Sequence, residues 1–368
     1  MGFTSICDVQ KIGFRTRHGS GPKPAEILTA SRLARPVRVL AHFASRSRSL
    51  RGYVSARPEE QTITKPRERH RDSRRINMNV FRRMLGMAPT AERDGKGFVP
   101  SPLGLALAVD KKSGYQPDDF GGRTYTGEGK ILVLCTEERY FEMTNGVLFS
   151  TGHNVQETAV PLMHLATAGF DFDIITPTGA PAILEQWSVP REDEAVLSFV
   201  EGNRTKFDHP ISLAGLVEQG ALSEESPYVA LFLPGGHGAM VGLPEDKNVG
   251  TLIHWISESD RYLIAVCHGP AALMATAKNG GGPHPYSGYE LCAFPDSIDR
   301  QSPSIGYLPG TLPWFQCEKL EEQGLRVKNR AAKGETHVDR KLYSGDSPKA
   351  CDQLGKIVAE ALLRDFAN

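Results

Sequence analysis

The chain has 368 residues, of which 40% are hydrophobic, enough for a large buried core and one or two domains beside its tails. Lysine plus arginine and aspartate plus glutamate both number 43, so the net charge predicts neither a specific nucleic-acid partner nor a membrane partner. Six cysteines without a C-x-x-C pair indicate neither a disulfide framework nor a zinc knuckle. Because no apolar run approaches the ~20 residues that span a bilayer, we expect a cytoplasmic protein.

Residues 1–77 differ in composition from the rest of the chain. Up to Arg57 they contain eleven Lys or Arg residues but only two acidic ones, among many Ser, Ala and Thr. This composition is typical of a mitochondrial transit peptide, which would place the protein in the mitochondrion. The alternatives are a disordered extension without function, or a true start of the protein at Met78.

The remainder of the chain divides into an arm and a long regular region. Residues 78–128 contain Pro and Gly and show little periodicity, and we expect them to pack on the core as an N-terminal arm. From residue 129 to residue 368 buried strands alternate with amphipathic helices. Strands are predicted at Lys130–Cys135, Asp171–Thr176, Tyr228–Leu233 and Tyr262–Val266, with short ones at Leu291–Phe294, Leu325–Val327 and Lys341–Tyr343. Helices are predicted at Val155–Ala168, Val249–Glu258, Ala271–Lys278 and from Ser347 to about Phe366.

This alternation predicts an α/β domain of three layers, in which helices cover both faces of a mainly parallel sheet. A mostly polar segment at about 181–227 interrupts the alternation between two core strands. We interpret this segment as a small cap that closes over the functional site and packs with the arm.

Cys267 occupies the most informative position in the sequence, directly after the buried strand Tyr262–Val266. Gly269 and Pro270 then favour a sharp turn into a helix. The result is the geometry of a nucleophile elbow, although the letters are A-V-C-H-G. A helix N-terminus and the neighbouring His268 favour a thiolate with a pKa below the ~8.5 of free cysteine. The alternative is a buried structural cysteine.

Other candidate residues lie at the same end of the predicted sheet, where open α/β folds bind their ligands. Glu157, after the first strand, can place a carboxylate beside the sulfur, or can merely favour a helix dipole. Gly235 and Gly236, together with the amide of His268, can hold an oxyanion, or the two glycines can simply form a turn.

Several motifs give the chain a close resemblance to the DJ-1/PfpI superfamily and, within it, to the HchA-type heat-shock proteins, also described as glyoxalase III. These motifs cover about Gly129 to Ala367. They are L-F-S-T-G at 148–152, P-G-G-H-G-A at 234–239, C-H-G-P-A-A at 267–272, C-A-F-P-D at 292–296, I-G-Y-L-P-G at 305–310 and Y-S-G-D-S-P at 343–348. The resemblance implies a flavodoxin-like (class I glutaminase-like) domain with a cap, and a homodimer.

The resemblance also implies roles for individual residues. Cys267 corresponds to the nucleophile of the family, His268 to its partner and Glu157 to the glutamate beside the elbow. Asp299 corresponds to the aspartate that orients the histidine, although a loop or capping role is the alternative from the sequence alone. His237 is ambiguous and stays outside the predicted catalytic set.

One departure from the family concerns metal binding. Some relatives carry a site of two histidines and one carboxylate near the cap, but here Ala166 and Asn203 stand at the histidine positions and Asp171 at the carboxylate. Alanine cannot bind a metal, and asparagine is a poor substitute for imidazole. His164 nearby is better interpreted as a packed core residue. We therefore expect no metal and no other cofactor.

These features together predict a glutathione-independent glyoxalase. It would convert methylglyoxal and related 2-oxoaldehydes to 2-hydroxy acids such as lactate through a Cys267 hemithioacetal, with deglycase activity as a companion. The alternative is a stress-inducible holdase chaperone that binds unfolded protein clients. An amidotransferase or peptidase is a third hypothesis, which the proximity of Glu157 to Cys267 disfavours.

Overall fold

The computed structural model of the chain describes residues 81–279 and 282–367. The predicted extension 1–77 and residues 78–80 of the arm lie outside the described residues. In chain order the strands are β1 (Thr90–Ala91), β2 (Phe98–Val99), β3 (Lys130–Leu134), β4 (Tyr140–Glu142), β5 (Leu148–Ser150), β6 (Asp171–Thr176), β7 (Ile211–Ser212), β8 (Tyr228–Leu233), β9 (Tyr262–Val266), β10 (Glu290–Leu291), β11 (Arg326–Val327), β12 (Thr336–Asp339) and β13 (Leu342–Gly345). The α-helices are α1 (Pro102–Ala108), α2 (Val155–Thr167), α3 (Glu194–Gly202), α4 (Arg204–Asp208), α5 (Leu213–Glu218), α6 (Lys247–Glu258), α7 (Asp296–Gln301), α8 (Gln316–Glu322) and α9 (Cys351–Phe366).

Seven strands form the main sheet, in the spatial order β12–β13–β9–β8–β3–β6–β7. The edge strand β12 runs antiparallel to β13, and every other neighbouring pair in this sheet is parallel. The predicted flavodoxin-like α/β fold with a mainly parallel sheet is therefore confirmed. The carboxyl ends of β3, β8 and β9 lie side by side, and the loops that follow them form one end of the sheet.

Alternate residues of the central strand β3 face opposite layers of the domain. Ile131 and Val133 join an apolar cluster with α2 and α9 on one face. Leu132 and Leu134 join a second cluster on the other face, with α6 and the 3₁₀ segment Gly269–Asn279. Because both faces are covered, the strands are apolar at successive positions rather than at alternate ones. That continuous apolar character is what made them predictable.

The segment after Cys267 differs from its prediction. An α-helix was expected at Ala271–Lys278, whereas Gly269–Asn279 forms a 3₁₀ helix. This segment packs very closely on α6, since a β-carbon on Gly250 would lie 2.4 Å from the carbonyl oxygen of Ala275. Tertiary packing of this kind overrides local helix propensity.

Two small sheets accompany the main one and were not predicted as such. The strands of the first follow the order β1–β2–β5–β4, and β10 pairs with β11 in the second. An apolar cluster that includes Phe141 and Phe149 supports the first sheet. Each of these strands has only two or three residues, too few to show a period.

The arm is attached to the domain through α1. The hydroxyl of Ser101 caps this helix by accepting a hydrogen bond from the Gly104 amide, at 3.0 Å, and donates to the carbonyl of Ile305, at 2.8 Å. Further along the arm, the amide and hydroxyl of Ser113 donate to Asp193. The arm therefore contacts both the core and the segment 181–227.

The segment 181–227 contains α3, α4, β7 and α5. Strand β7 extends the main sheet beside β6, so part of this segment belongs to the core sheet. Its role as a cap that closes over the site stays a prediction. Among the described residues, no helix combines the length and hydropathy that crossing a bilayer would require.

Candidate active site

Cys267 sits at a sharp turn directly after β9. Its φ of 58° lies in the left-handed region, and its side chain is 4% exposed. Two hydrogen bonds hold its carbonyl oxygen, one from the amide of Phe294 at 2.9 Å and one from Nε2 of Gln316 at 2.9 Å. These bonds stabilise a backbone conformation that is costly for a residue with a β-carbon. Gln316 was not singled out from the sequence, because nothing in its local pattern points to a contact 49 residues away.

His268 connects the sulfur to a buried carboxylate. Its Nδ1 lies 3.3 Å from Sγ of Cys267, and its Nε2 lies 2.9 Å from Oδ2 of Asp299. Although burial alone would raise the pKa of Asp299, the neighbouring histidines His268 and His237 lower it. Burial lowers the pKa of His268. An ionised Asp299 therefore accepts the Nε2–H of a neutral His268, so that the Nδ1 lone pair faces the thiol.

His237 is a second histidine on the same carboxylate. Its Nε2 lies 3.0 Å from Oδ1 of Asp299, and the centroids of the His237 and His268 rings are 4.0 Å apart. The sequence analysis left His237 out of the catalytic set. Its position immediately after two glycines at the end of a core strand was the signal that could have included it.

Glu157 lies in the first turn of α2 and places its carboxyl group beside Cys267. The side chain of Asn154 caps this helix by accepting a hydrogen bond from the Glu157 amide, at 3.1 Å. Glu157 is 1% exposed, and neither carboxyl oxygen has a well-formed hydrogen bond among the described residues. Burial raises the pKa of Glu157 to about 8, against the opposing effects of the Cys267 thiol and the Gly236 amide. Glu157 is therefore a neutral acid at pH 7.

The expected lowering of the Cys267 pKa is not found. Burial, followed by the charge of the neighbouring Glu157 carboxyl group, raises the pKa of Cys267 well above its ordinary value, and the Gly236 amide only partly opposes this. The local sequence shows neither that the segment after Cys267 is a 3₁₀ helix rather than an α-helix nor that the sulfur is buried. The resting group is a thiol with a base, His268, in contact with it.

The two glycines after β8 have different positions. A β-carbon on Gly235 would lie 2.2 Å from Oε2 of Glu157 and 2.6 Å from Cβ of Cys267. Both side chains therefore pack directly against the Gly235 backbone, and a larger residue would not fit there. Gly236, with a φ of 94°, brings its amide close to both of those groups. The carbonyl of Gly235 accepts a hydrogen bond from the Asn154 amide, at 3.0 Å.

These groups line a cavity of about 270 Å³. The arm contributes to its wall through Leu107, Ala108 and Asp110. The remaining lining residues are Asn154, Glu157, Glu185, Gly236, His237, Cys267, His268, Phe294, Ile298, Ser302, Ile305, Tyr307, Ala332, Ser347, Pro348 and Lys349. The cavity thus combines a thiol, two histidines, two buried glutamic acids and an apolar wall.

The residues at the metal positions of some relatives have other partners here. Asp171 is paired with Lys206, and the side-chain amide of Asn203 donates to the carbonyl of Phe199. Nε2 of His164 lies 2.9 Å from Oδ1 of Asp352. Within residues 81–279 and 282–367, one group of three side chains has a spacing suited to an ion, namely His237, His268 and Asp299. Their hydrogen bonds to one another account for this spacing.

The sequence and the fold of the chain resemble those of known proteins. The sequence model described as the DJ-1/PfpI family matches residues 146–282. The chain is 42% identical over 275 residues to "Protein/nucleic acid deglycase HchA" of Escherichia coli O1:K1, covering 75% of this chain and 95% of that protein. The same values hold for "Protein/nucleic acid deglycase 1" of Escherichia coli K12. The crystal structure of the 24 kDa Rapid Encystment Protein of Francisella tularensis superposes with a TM-score of 0.53 at 21% identity, covering 64% of this chain and 99% of that one, and shares its fold.

Proposed function

The chain belongs to the DJ-1/PfpI family, and we propose that it is a glutathione-independent glyoxalase that acts on small 2-oxoaldehydes such as methylglyoxal. The product is the corresponding 2-hydroxy acid, lactate in the case of methylglyoxal. No redox cofactor is required, because one carbon of the substrate is oxidised while its neighbour is reduced. Cys267 is the nucleophile in this proposal, and Glu157 is the proton carrier.

The first step is addition of Cys267 to the aldehyde carbon. His268 takes the thiol proton on Nδ1 as the sulfur attacks, and ionised Asp299 stabilises the imidazolium that results. The amide of Gly236, close to the sulfur, donates to the aldehyde oxygen as it gains negative charge. Neutral Glu157 then gives this oxygen its proton, which leaves a hemithioacetal and a Glu157 carboxylate.

The second step moves a hydrogen between the two substrate carbons. The Glu157 carboxylate takes the proton from the former aldehyde carbon, giving an enediolate, and returns it to the neighbouring carbon, while the hydroxyl proton on the first carbon passes to the oxygen of the second. The product of this transfer is a thioester of Cys267. Ionised Glu157 then takes a proton from water as the water adds to the thioester, and the imidazolium of His268 returns its proton to the departing sulfur. The products are the 2-hydroxy acid and the free thiol, and Glu157 is again neutral.

The observation that carries this proposal is the packing of Glu157 against Cys267 across Gly235. Glu157 is a buried carboxylic acid whose raised pKa suits a group that both gives and takes a proton near neutrality, which favours proton transfer within a small substrate over peptide or amide cleavage.

Lactate formation from methylglyoxal without glutathione tests the proposal directly. We expect turnover by the wild-type protein and complete loss in Cys267→Ala. Cys292→Ala is a matched control, since Cys292 is also buried but does not line the cavity. Turnover by Cys267→Ala, or none by the wild type, would refute the assignment.

Deglycase activity is a second candidate, favoured by the names of the bacterial relatives. Free 2-oxoaldehyde released from an adduct would be consumed by the glyoxalase reaction and so would mimic deglycation. The two activities separate when a purified, stable methylglyoxal–peptide adduct is supplied and free methylglyoxal is trapped by excess aminoguanidine. Recovery of unmodified peptide above the enzyme-free rate would support a deglycase.

The holdase alternative gains no support from the reported relatives, which are named as deglycases. Suppression of client aggregation by Cys267→Ala, measured beside the wild type, tests it independently of catalysis. The homodimer also stays a prediction, and light scattering of the purified protein is its test.

A further inference from the structure

Glu185 is a second buried glutamic acid in the cavity that the glyoxalase mechanism above does not use. It is 2% exposed and lines the same cavity as Cys267 and Glu157. Its Oε1 accepts a hydrogen bond from the hydroxyl of Thr151, at 2.7 Å. A carboxyl group placed against a cavity wall with a single side-chain partner keeps hydrogen-bonding capacity for a ligand.

The backbone around Glu185 is firmly held. Its amide donates to the carbonyl of His153, at 2.9 Å, beside a parallel bridge between His153 and Leu184. Its carbonyl accepts hydrogen bonds from the amide of Ser188, at 3.0 Å, and from the Ser188 hydroxyl, at 2.9 Å. The backbone of Glu185 is therefore held in place, and the Thr151 hydroxyl holds its carboxyl group, as a group that binds a substrate atom requires.

The carboxyl group of Glu185 is protonated at neutral pH and can donate a hydrogen bond. Burial raises its pKa to about 8, while the Thr151 hydroxyl and the charge of His237 oppose the rise. Tyr307 lies in the same wall, and after burial the charge of Glu185 is the main reason that the Tyr307 pKa is raised. The Tyr307 ring also packs on Trp187, with centroids 5.7 Å apart. This part of the cavity is thus an apolar wall that contains neutral donors.

We propose that Glu185 is a catalytic acid that binds the ketone oxygen of the 2-oxoaldehyde while Cys267 holds its aldehyde carbon. This inference rests on the proposed glyoxalase function and assigns the second carbonyl of the substrate a partner. Every 2-oxoaldehyde has two adjacent carbonyl groups, and the enediol places a new hydroxyl on the former ketone oxygen. In the mechanism above the Gly236 amide donates a hydrogen bond to the aldehyde oxygen. The ketone oxygen therefore needs a hydrogen-bond donor of its own, and Glu185 can supply it.

The proton balance closes with two carboxyl groups. Glu157 carries the hydrogen of the aldehyde carbon to the ketone carbon. Glu185 gives its proton to the ketone oxygen as the enediol forms, and recovers the proton that leaves the aldehyde oxygen when the thioester forms. The thioester product keeps one hydrogen on carbon and one on oxygen, as the hemithioacetal had, and both glutamic acids end in their starting state.

The test separates turnover from thiol reactivity. We expect Glu185→Gln and Glu185→Ala to lower kcat for methylglyoxal about 10²-fold, because neither Gln nor Ala can give a proton to the ketone oxygen. The rate of Cys267 alkylation by iodoacetamide, which has no ketone to activate, should change less than twofold. Glu201→Gln is the matched control in the same segment, because Glu201 is exposed and pairs with Arg204, and it should match the wild type in both assays.

Wild-type kcat in Glu185→Gln would overturn this inference while leaving the glyoxalase proposal intact. Equal losses of turnover and alkylation in both variants would show that Glu185 only shapes the site, and would also overturn it. Absence of turnover in the wild-type protein would instead refute the glyoxalase function itself.

Discussion

Gly235 and Glu157 approach so closely that a β-carbon on Gly235 would lie 2.2 Å from the Glu157 carboxyl oxygen. A methyl group there would displace the carboxyl from Cys267, so we expect Gly235→Ala to lose glyoxalase turnover by at least about 10²-fold. Methylglyoxal turnover and circular dichroism report activity and folding. Gly202→Ala is the control, because within residues 81–279 and 282–367 the added carbon meets no atom within 4 Å apart from its chain neighbours and its own helix backbone, and it should be as active and at least as stable as the wild type.

The raised pKa of Glu157 predicts how stability depends on pH. The folded protein keeps this proton up to about pH 8, whereas the unfolded chain releases it near its ordinary value of 4.5. Between these values the folded state binds more protons, so the free energy of unfolding falls as pH rises, by up to ~1.4 kcal/mol per pH unit for this group.

Glu157→Gln should abolish turnover, because Gln cannot carry a proton, and should flatten this pH dependence. Urea unfolding at pH 5.5, 6.5 and 7.5 measures the slope. Glu201→Gln should keep the wild-type slope. A slope in Glu157→Gln as steep as that of the wild type would show that Glu157 ionises normally in the folded protein.

Asp299 should matter through its charge. Asp299→Asn retains a hydrogen-bonding group between the two histidines but removes the negative charge that stabilises protonated His268. We expect a loss of about 10³–10⁴-fold in kcat/KM, as in the equivalent exchange of other triads, together with slower alkylation of Cys267 at pH 7. Asp260→Asn, at an exposed position paired with Lys341, serves as control. Near-normal activity of Asp299→Asn would show that the charge of Asp299 is not needed to stabilise protonated His268.

Cys267 should be the first described cysteine to be alkylated or oxidised, because it alone among them contacts an imidazole and lines the cavity. Ionised Glu157 raises the pKa of Cys267, so Glu157→Gln should react faster than the wild type at pH 8. Peptide mass spectrometry after brief iodoacetamide or peroxide treatment measures both effects. Earlier modification of Cys292 or Cys351 would contradict the assignment of Cys267 as the reactive thiol.

The parts of the structure that could be predicted are those that depend on local sequence. The core strands β3, β6, β8 and β9 are buried on both faces, so each is a short apolar run that the sequence shows directly. The position of Cys267 at a turn followed from the strand before it and from Gly269 after it. The fold class followed from the spacing of these elements.

The parts that could not be predicted depend on contacts between distant residues. Glu185 lies in a polar segment with no period, and its place in the cavity results from the bridge of its neighbour Leu184 to His153, in the loop after β5. Gln316 reaches the Cys267 carbonyl across 49 residues of sequence. The Cys267 pKa was expected in the wrong direction because the sequence shows a neighbouring histidine but cannot show the degree of burial.

The shared carboxylate of Asp299 has an electrical consequence for the whole site. Proton transfer from Cys267 to His268 leaves the total charge of the buried cluster around Asp299 unchanged. The reactive ion pair thus forms by internal displacement of one proton, without uptake of an ion from the solvent. Salt should therefore screen its formation weakly, in contrast to a thiolate activated by surface cations.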